Sequence, residues 1–135
     1  MPTPIPNAVA VVRASVYAAL APLTGTFSEL PRCYWQIAVD LAPLPLLVIQ
    51  SQDRGGFDAS FLGRGGWQGL ITVLAMAETD SGADAQLAGV FGAMEGMPHP
   101  SGYTIHSTFE RPLTLAPADG VFYAGGIYRI RLYRV

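Results

Sequence analysis

The chain has 135 residues and a formal net charge of −2, which suits one domain with its own hydrophobic core and excludes a general electrostatic attraction to nucleic acid. Only 13% of the residues are charged and 50% are hydrophobic, against about 25% charged residues in an ordinary soluble domain. So few charged residues cannot cover a typical solvated surface, which predicts that part of the surface is buried against other proteins. We favour an obligate oligomer, because interfaces of that kind are more hydrophobic than ordinary surface.

The first seven residues, MPTPIPN, contain three prolines and predict an extended arm over residues 1–7. Asn7 is a suitable N-cap for the helix that follows, and Pro22 with Gly25 ends it. Apolar residues recur at helical spacing in between and predict one buried stripe: Val9, Val12, Val16, Leu20 and Leu23. This apolar run is shorter than the roughly 20 residues of a membrane span, so no membrane partner is expected.

Three strands are predicted after this helix. Residues 33–41, CYWQIAVDL, alternate between two faces, and residues 46–52, LLVIQSQ, read as a more buried strand. Residues 67–77, WQGLITVLAMA, are apolar on both faces, which predicts a central strand that a helix covers on one side.

A second helix is predicted over residues 81–95, with Asp80 or Ser81 as N-cap and Gly96 at its end. Its apolar stripe should pack on the sheet: Ala83, Leu87, Val90, Phe91 and Met94. Replacing Phe91 by Ala is then expected to cost about 3–5 kcal/mol.

Two strands close the chain, residues 103–110 and 121–135, with a bulge predicted at Gly125–Gly126. The order of elements favours an α+β fold over residues 1–135, a single domain. We expect a mainly antiparallel β-sheet with two helices packed on one face.

Few side chains suit catalysis or metal binding. Cys33 is the single cysteine, and the two histidines are isolated in the sequence, so no disulfide within the chain and no metal-ligand spacing is possible. His106 shares a strand face with Thr104 and Thr108 and is the best candidate for a general base, but no partner orients it. We therefore expect no catalytic residue, no cofactor and no metal, and a protein that is not an enzyme.

The stretch DRGGFDASFLGRGG, residues 53–66, is a long connection between two strands that should pair antiparallel. A hairpin needs about 2–5 loop residues, and surplus loops on rigid sheets commonly carry function. An apolar centre with an arginine rim is typical of a protein interface, and the candidate residues are Arg54, Phe57, Phe61, Leu62 and Arg64. A nucleotide site is not favoured, because the loop has neither a GxGxxG nor a P-loop motif.

The last strand carries the densest cluster of positive charge. Arg129 and Arg131 fall on one face and Arg134 on the other. Like charges on one strand face usually pair with acids nearby, so Arg129 or Arg131 should pair with Glu110 or with an acid of a neighbouring subunit. Both arginines are candidates for a partner interface, and a phosphate-contacting or channel-facing role is the alternative.

Three phrases and the order of elements resemble the tail terminator (tail completion) proteins of long, non-contractile-tailed bacteriophages. The phrases are YWQIAVDLAPLPLLVIQSQ, GWQGLITVLAMAETDSGADAQLAGVFGAM and GGIYRIRLYRV. The positions that match the family pattern are Pro45 to Gln50, Asp84, Leu87 and Ala88, and Gly126 to Arg129. The resemblance covers residues 8–135, and the chain departs from the family in lacking lysine and in its bulky loop.

The resemblance implies a structural virion protein. Members of the family form a hexameric ring that caps the tail tube, stops its polymerisation and joins the head-tail connector (stopper) protein. Double-stranded DNA passes through the lumen without sequence-specific binding. The implied partners are further copies of the chain, the major tail tube protein and the connector, and the implied location is the tail or neck of a virion assembled in the host cytoplasm.

Two other classes of function stay open. A small α+β ligand-binding protein or enzyme of dimeric barrel type would use a cavity near His106 and Tyr103. A nucleic-acid-binding module would depend on Arg129, Arg131 and Arg134.

Overall fold

A computed structural model describes residues 8–24, 26–27, 30–35, 43–51 and 66–134. Helix α1 (Ala8–Leu20) leads into a 3-10 turn (Ala21–Leu23) and a pair of short strands, β1 (Thr26–Phe27) and β2 (Leu30–Pro31). The remaining elements are β3 (Cys33–Trp35), β4 (Leu46–Ser51), β5 (Trp67–Ala77), α2 (Asp80–Glu95), β6 (Tyr103–Leu113) and β7 (Phe122–Arg134). The predicted order of helices and strands is therefore present, with β1 and β2 in addition. The predicted arm over residues 1–7, with its cap Asn7, lies outside the described residues.

Strands β3 to β7 form one sheet in the order β3-β4-β5-β7-β6. Three of its strand pairs are antiparallel and the β3–β4 pair is parallel. A parallel pair needs a connection that returns to the starting end of the sheet, and residues 36–42 of the connection between these two strands lie outside the described residues. The fold is α+β with a mainly antiparallel sheet, as predicted.

Strand β5 occupies the centre of this sheet, as its apolar sequence predicts. It pairs with β4 on one side and with β7 on the other. Ile71, Val73 and Ala75 on one of its faces are buried, and so are Thr72 and Leu74 on the opposite face.

Both helices pack on the same face of the sheet. Val12, Val16 and Leu20 of α1 and Val90 and Met94 of α2 are almost completely buried. They share one core cluster with the sheet residues Ile71, Val73, Ala75, Tyr128, Ile130 and Leu132. Leu23, the last residue of the predicted α1 stripe, is instead 40% exposed on the 3-10 turn. In the part of the chain that the structure describes, no helix is both long and apolar enough to cross a membrane.

The N-cap of α2 is Thr79, whereas the sequence predicts Asp80 or Ser81. The Thr79 Oγ1 accepts a hydrogen bond from the backbone N–H of Gly82 at 3.0 Å. Thr79 has an extended backbone, with φ −133° and ψ 153°, which lets its hydroxyl reach the N–H three residues ahead. The helix ends at Gly96 as predicted.

The irregularity in strand pairing lies on β6, whereas the sequence predicts a bulge at Gly125–Gly126. The register passes from Phe109 opposite Tyr128 to Arg111 opposite Ile127, so Glu110 is the extra residue. A Cβ on Gly126 would lie 3.0 Å from Phe109 Cε2 and 3.1 Å from Tyr128 Cε2. Glycine suits position 126 because a side chain there would press on two aromatic rings that lie against the strand.

The connection between α2 and β6 is tied to the elements beside it. The Ser15 hydroxyl of α1 donates to the Pro98 carbonyl oxygen at 2.5 Å, and the backbone N–H of Ile105 donates to His99 Nδ1 at 3.0 Å. The Tyr103 N–H donates to the Pro100 carbonyl at 2.9 Å. Because β6 is an edge strand, the contacts of Ile105 and Tyr103 satisfy backbone N–H groups that do not bond to β7.

Candidate assembly surfaces

The predicted interface loop is attached at one end of the sheet. Its candidate residues, Arg54, Phe57, Phe61, Leu62 and Arg64, lie within residues 52–65, outside the described residues. Strand β4 ends at Ser51, opposite Ile71, and β5 begins at Trp67. The antiparallel pairing of β4 with β5 is as predicted, and it holds both ends of the loop at the same end of the sheet.

The arginine-bearing end of β7 lies at this end of the sheet as well. Trp67 pairs with Leu132 and Gln68 pairs with Arg131. The Arg131 Nε donates a hydrogen bond to Gln68 Oε1 at 2.7 Å across 63 positions of sequence. We call this end of β7, with the exposed Arg131, the basic end. Folding thus brings one predicted interface residue, Arg131, next to the base of the predicted interface loop.

Arg129 forms the charge pair that the sequence predicts. Its Nε contacts Oε1 of Glu110, and the two side chains are 26% and 35% exposed. Glu110 is the extra residue of the β6 bulge. The carboxylate compensates the charge of Arg129, whereas the neutral amide of Gln68 leaves the charge of Arg131 uncompensated at that contact.

A cleft of about 370 Å³ opens at the opposite end of the sheet, between the start of α2 and the connection from β6 to β7. Its apolar lining includes Leu87, Leu113, Leu115 and Phe122, and Asp80 and Asp84 also line it. Leu115 is 41% exposed. The cleft therefore combines an apolar wall with two carboxylates.

Sequence reasoning missed this cleft. In the sequence, residues 111–120, RPLTLAPADG, have the composition of a connection between the last two strands, and Asp80 is only a candidate N-cap. The feature of the sequence that indicates the cleft is a pair of leucines, Leu113 and Leu115, in a connection where polar turn residues are expected.

A second exposed apolar surface joins α2 to the edge strand. The rings of Phe91 and Phe109 meet edge to face at 5.7 Å, and Phe109 meets Tyr128 in the same way at 5.5 Å. Phe91 therefore contacts the sheet through Phe109, as predicted, but Phe91 is 43% exposed and Phe109 is 40% exposed, so the full burial assumed for Phe91 is wrong. Val90 and Met94 take the buried positions, and Phe91 follows Val90 by about 100° around the helix, at the border of the buried face.

Among the described residues, Tyr103 and His106 do not line one common cleft, as the dimeric-barrel alternative requires. Tyr103 packs against the main core and lines a cleft of about 380 Å³ beside α1. His106 is exposed on the other face of the sheet, with its ring 6.3 Å from that of Tyr133. Residues three apart on a strand point to opposite faces, which is why the two side chains do not share a cavity.

The single cysteine has the properties of a core residue. Cys33 is 4% exposed on β3, and burial raises the pKa of its thiol from 9.0 to about 12. A nucleophilic cysteine needs the opposite shift, because the thiolate is the reactive form. Within the described ranges, no group of three or more His, Cys, Asp or Glu side chains could hold a metal ion.

No family model and no curated protein matches this chain. Its fold is similar to that of a chain from the virion of a native gene transfer agent (GTA) particle. The two are 18% identical, the match covers 96% of this chain and 99% of the other, and the TM-score is 0.63. A second solved protein is 14% identical over 96% of this chain and 98% of its own, with a TM-score of 0.57. These likenesses show a shared fold over nearly the whole of each chain.

Proposed function

We propose that this chain is a structural protein of a phage-like virion and, within that class, a tail terminator. The observation that carries the proposal is the fold shared with a chain of the GTA virion, over 96% of this chain and 99% of the other. Fold alone does not imply function. Independent support comes from the resemblance of local sequence phrases to tail terminators over residues 8–135.

The proposed assembly is a hexameric ring that caps the tail tube, stops its polymerisation and joins the tail to the head-tail connector. The exposed apolar residues support an assembly: Leu115 beside the cleft and the Phe91–Phe109 pair at the sheet edge. Exposed apolar patches rimmed by polar residues commonly mark protein interaction sites, and 13% charged residues is low for a surface that faces water.

In this assembly the chain acts by contact and not by catalysis. The predicted loop and the arginines at the same end of the sheet contact the tube or an adjacent subunit, while double-stranded DNA passes through the lumen without sequence-specific binding. The protein then belongs to the tail or neck of a virion that is assembled in the host cytoplasm. The buried thiol of Cys33, with its raised pKa, supports a role without nucleophilic chemistry.

Mass photometry and negative-stain microscopy test the ring directly. The expected particle has a mass of about six times the 14.4 kDa subunit and a central opening. Added to its polymerising tail tube protein, the ring should shorten and cap the tubes at substoichiometric amounts. A stable monomer or dimer at micromolar concentration, with no effect on tube length, contradicts the proposal.

A further inference from the structure

Two groups of described charged residues lie at opposite ends of the sheet. Ala77 at the end of β5 pairs with Phe122 at the start of β7, and the acidic residues Glu78, Asp80 and Asp84 follow directly. We call these three residues the acidic end. The basic end lies at the other end of β7, and the strand from residue 122 to residue 132 spans roughly 33 Å at about 3.3 Å per residue. The sheet therefore keeps the two ends too far apart to meet within one copy.

The cleft at the acidic end has the chemistry of a site for an arginine side chain. Arginine lays an apolar stem along apolar surface and directs its guanidinium to a carboxylate. The cleft offers Leu113 and Leu115 as wall and Asp80 and Asp84 as carboxylates. These acidic groups have no ion-pair partner among the described residues.

The basic end is complementary to this cleft. Arg131 is exposed and its Nε is hydrogen-bonded to the neutral amide of Gln68. Among the described residues, no carboxylate pairs with it. A carboxylate pair in an apolar cleft and an exposed guanidinium on a strand end are the two halves of a charge-complementary contact.

We propose that the cleft beside Asp80 and Asp84 receives the basic end of a second copy of this chain. Each copy then presents two different surfaces, and contacts of this head-to-tail kind generate rings when the rotation between subunits closes. The inference rests on the proposed ring and adds to it the surfaces and the polarity of the subunit contact.

Two variants that each remove one half of the contact test the inference. The acidic-end variant carries Asp80→Asn and Asp84→Arg, and the basic-end variant carries Arg131→Glu. Each variant alone should need about tenfold or more protein to assemble. Mixed in equal amounts, they should form heterodimers that grow no further, because each supplies the surface that the other lacks.

The matched control is Glu95→Arg, a charge reversal at an exposed position at the far end of α2, which should assemble like the parent. Circular dichroism of each variant establishes whether it is folded. If a variant is unfolded, the milder change Asp84→Asn or Arg131→Gln is used in its place. Assembly of the parent should also weaken between about 0.15 M and 1 M salt, where the screening length falls from about 8 Å to about 3 Å.

The outcomes separate this inference from the proposed function. Rings that form equally well in both variants, or folded variants that remain monomeric when mixed, overturn the head-to-tail contact and leave the ring proposal standing. Heterodimers in the mixture, together with a parent protein that forms open chains and does not cap tubes, support the contact and overturn the tail-terminator proposal.

Discussion

The thiol of Cys33 illustrates how burial at a single residue affects stability. The side chain lies in the core cluster that both helices contribute to, and desolvation raises its pKa from 9.0 to about 12. The folded chain therefore holds this proton at a pH where the unfolded chain has lost it. Stability from this group is fully present below pH 9 and falls as the pH rises toward 12.

We predict that replacing Cys33 by Ala reduces the loss of stability at alkaline pH. Between pH 8 and pH 10.5 the wild-type protein should lose about 2 kcal/mol more of its free energy of unfolding than the variant, at about 1.4 kcal/mol per pH unit above the unfolded pKa. Urea denaturation at both pH values, at equal protein concentration and with a reductant present, measures the difference. Equal losses in the two proteins would show that the thiol ionises as easily in the folded chain as in the unfolded one.

The ion pair of Arg129 with Glu110 shows what residue patterns can and cannot predict. Glu110 is the nearest acid in the preceding strand, so the partner follows from the sequence. The register shift that makes Glu110 the extra residue of β6 does not, because it appears only where β6 pairs with β7. With both side chains about a third exposed, the pair contributes roughly 0.2–1 kcal/mol to folding.

At the scale of the element, helix α2 has residues that lie on one predicted apolar stripe but differ in how deeply they are buried. Val90, Phe91 and Met94 all fall on the predicted apolar stripe, yet Phe91 is 43% exposed while Met94 is 1% exposed. The predicted stripe is wider than the face of the helix that is buried. The position of β6 beside the helix decides which side chains of the stripe are covered.

We predict that Met94→Ala destabilises the protein more than Phe91→Ala, although the phenylalanine loses more atoms. Met94→Ala leaves a cavity in the core and should cost about 2–5 kcal/mol. Phe91→Ala should cost about 1–2 kcal/mol, the value of a half-buried ring with one edge-to-face contact, and less than the 3–5 kcal/mol expected for a buried one. Thermal or urea unfolding of the two variants compares them directly, and the reverse ranking would place Phe91 in the core.

At the scale of the whole molecule, the candidate contact residues of the loop, of β7 and of the cleft lie at the two ends of the sheet. The base of the loop and Arg131 meet at one end because β5 pairs with both β4 and β7. The cleft with Asp80 and Asp84 lies at the other end, where α2 starts and β6 leads to β7. A subunit with two different ends suits an assembly that repeats in one direction.

We predict that replacing residues 55–64 with a short Gly-Ser turn leaves the fold intact and abolishes tube capping or ring closure. The β4–β5 pair and the helices that cover it should keep the circular dichroism spectrum and the melting temperature close to those of the parent. Tail length and head joining measure the function. A second variant that keeps the loop length and changes Phe57, Phe61 and Leu62 to Ser separates the apolar contact from the length. Normal tails in both variants would remove the loop from the interface.

The sequence by itself determined the types and order of the two helices and of the five strands in the main sheet, the burial of Val12, Val16 and Leu20 in α1, the central position of β5 and the α+β class. These follow from spacings within one helical turn or one strand, where local geometry decides which side chains share a face. Only the tertiary structure decided the parallel β3–β4 pair, the bulge at Glu110 and the exposure of Phe91. It also decided that Arg131 meets the base of the loop while the acidic cleft lies at the far end of the sheet. Each of these depends on the strand order β3-β4-β5-β7-β6, which joins residues far apart in the chain and leaves no local pattern to read.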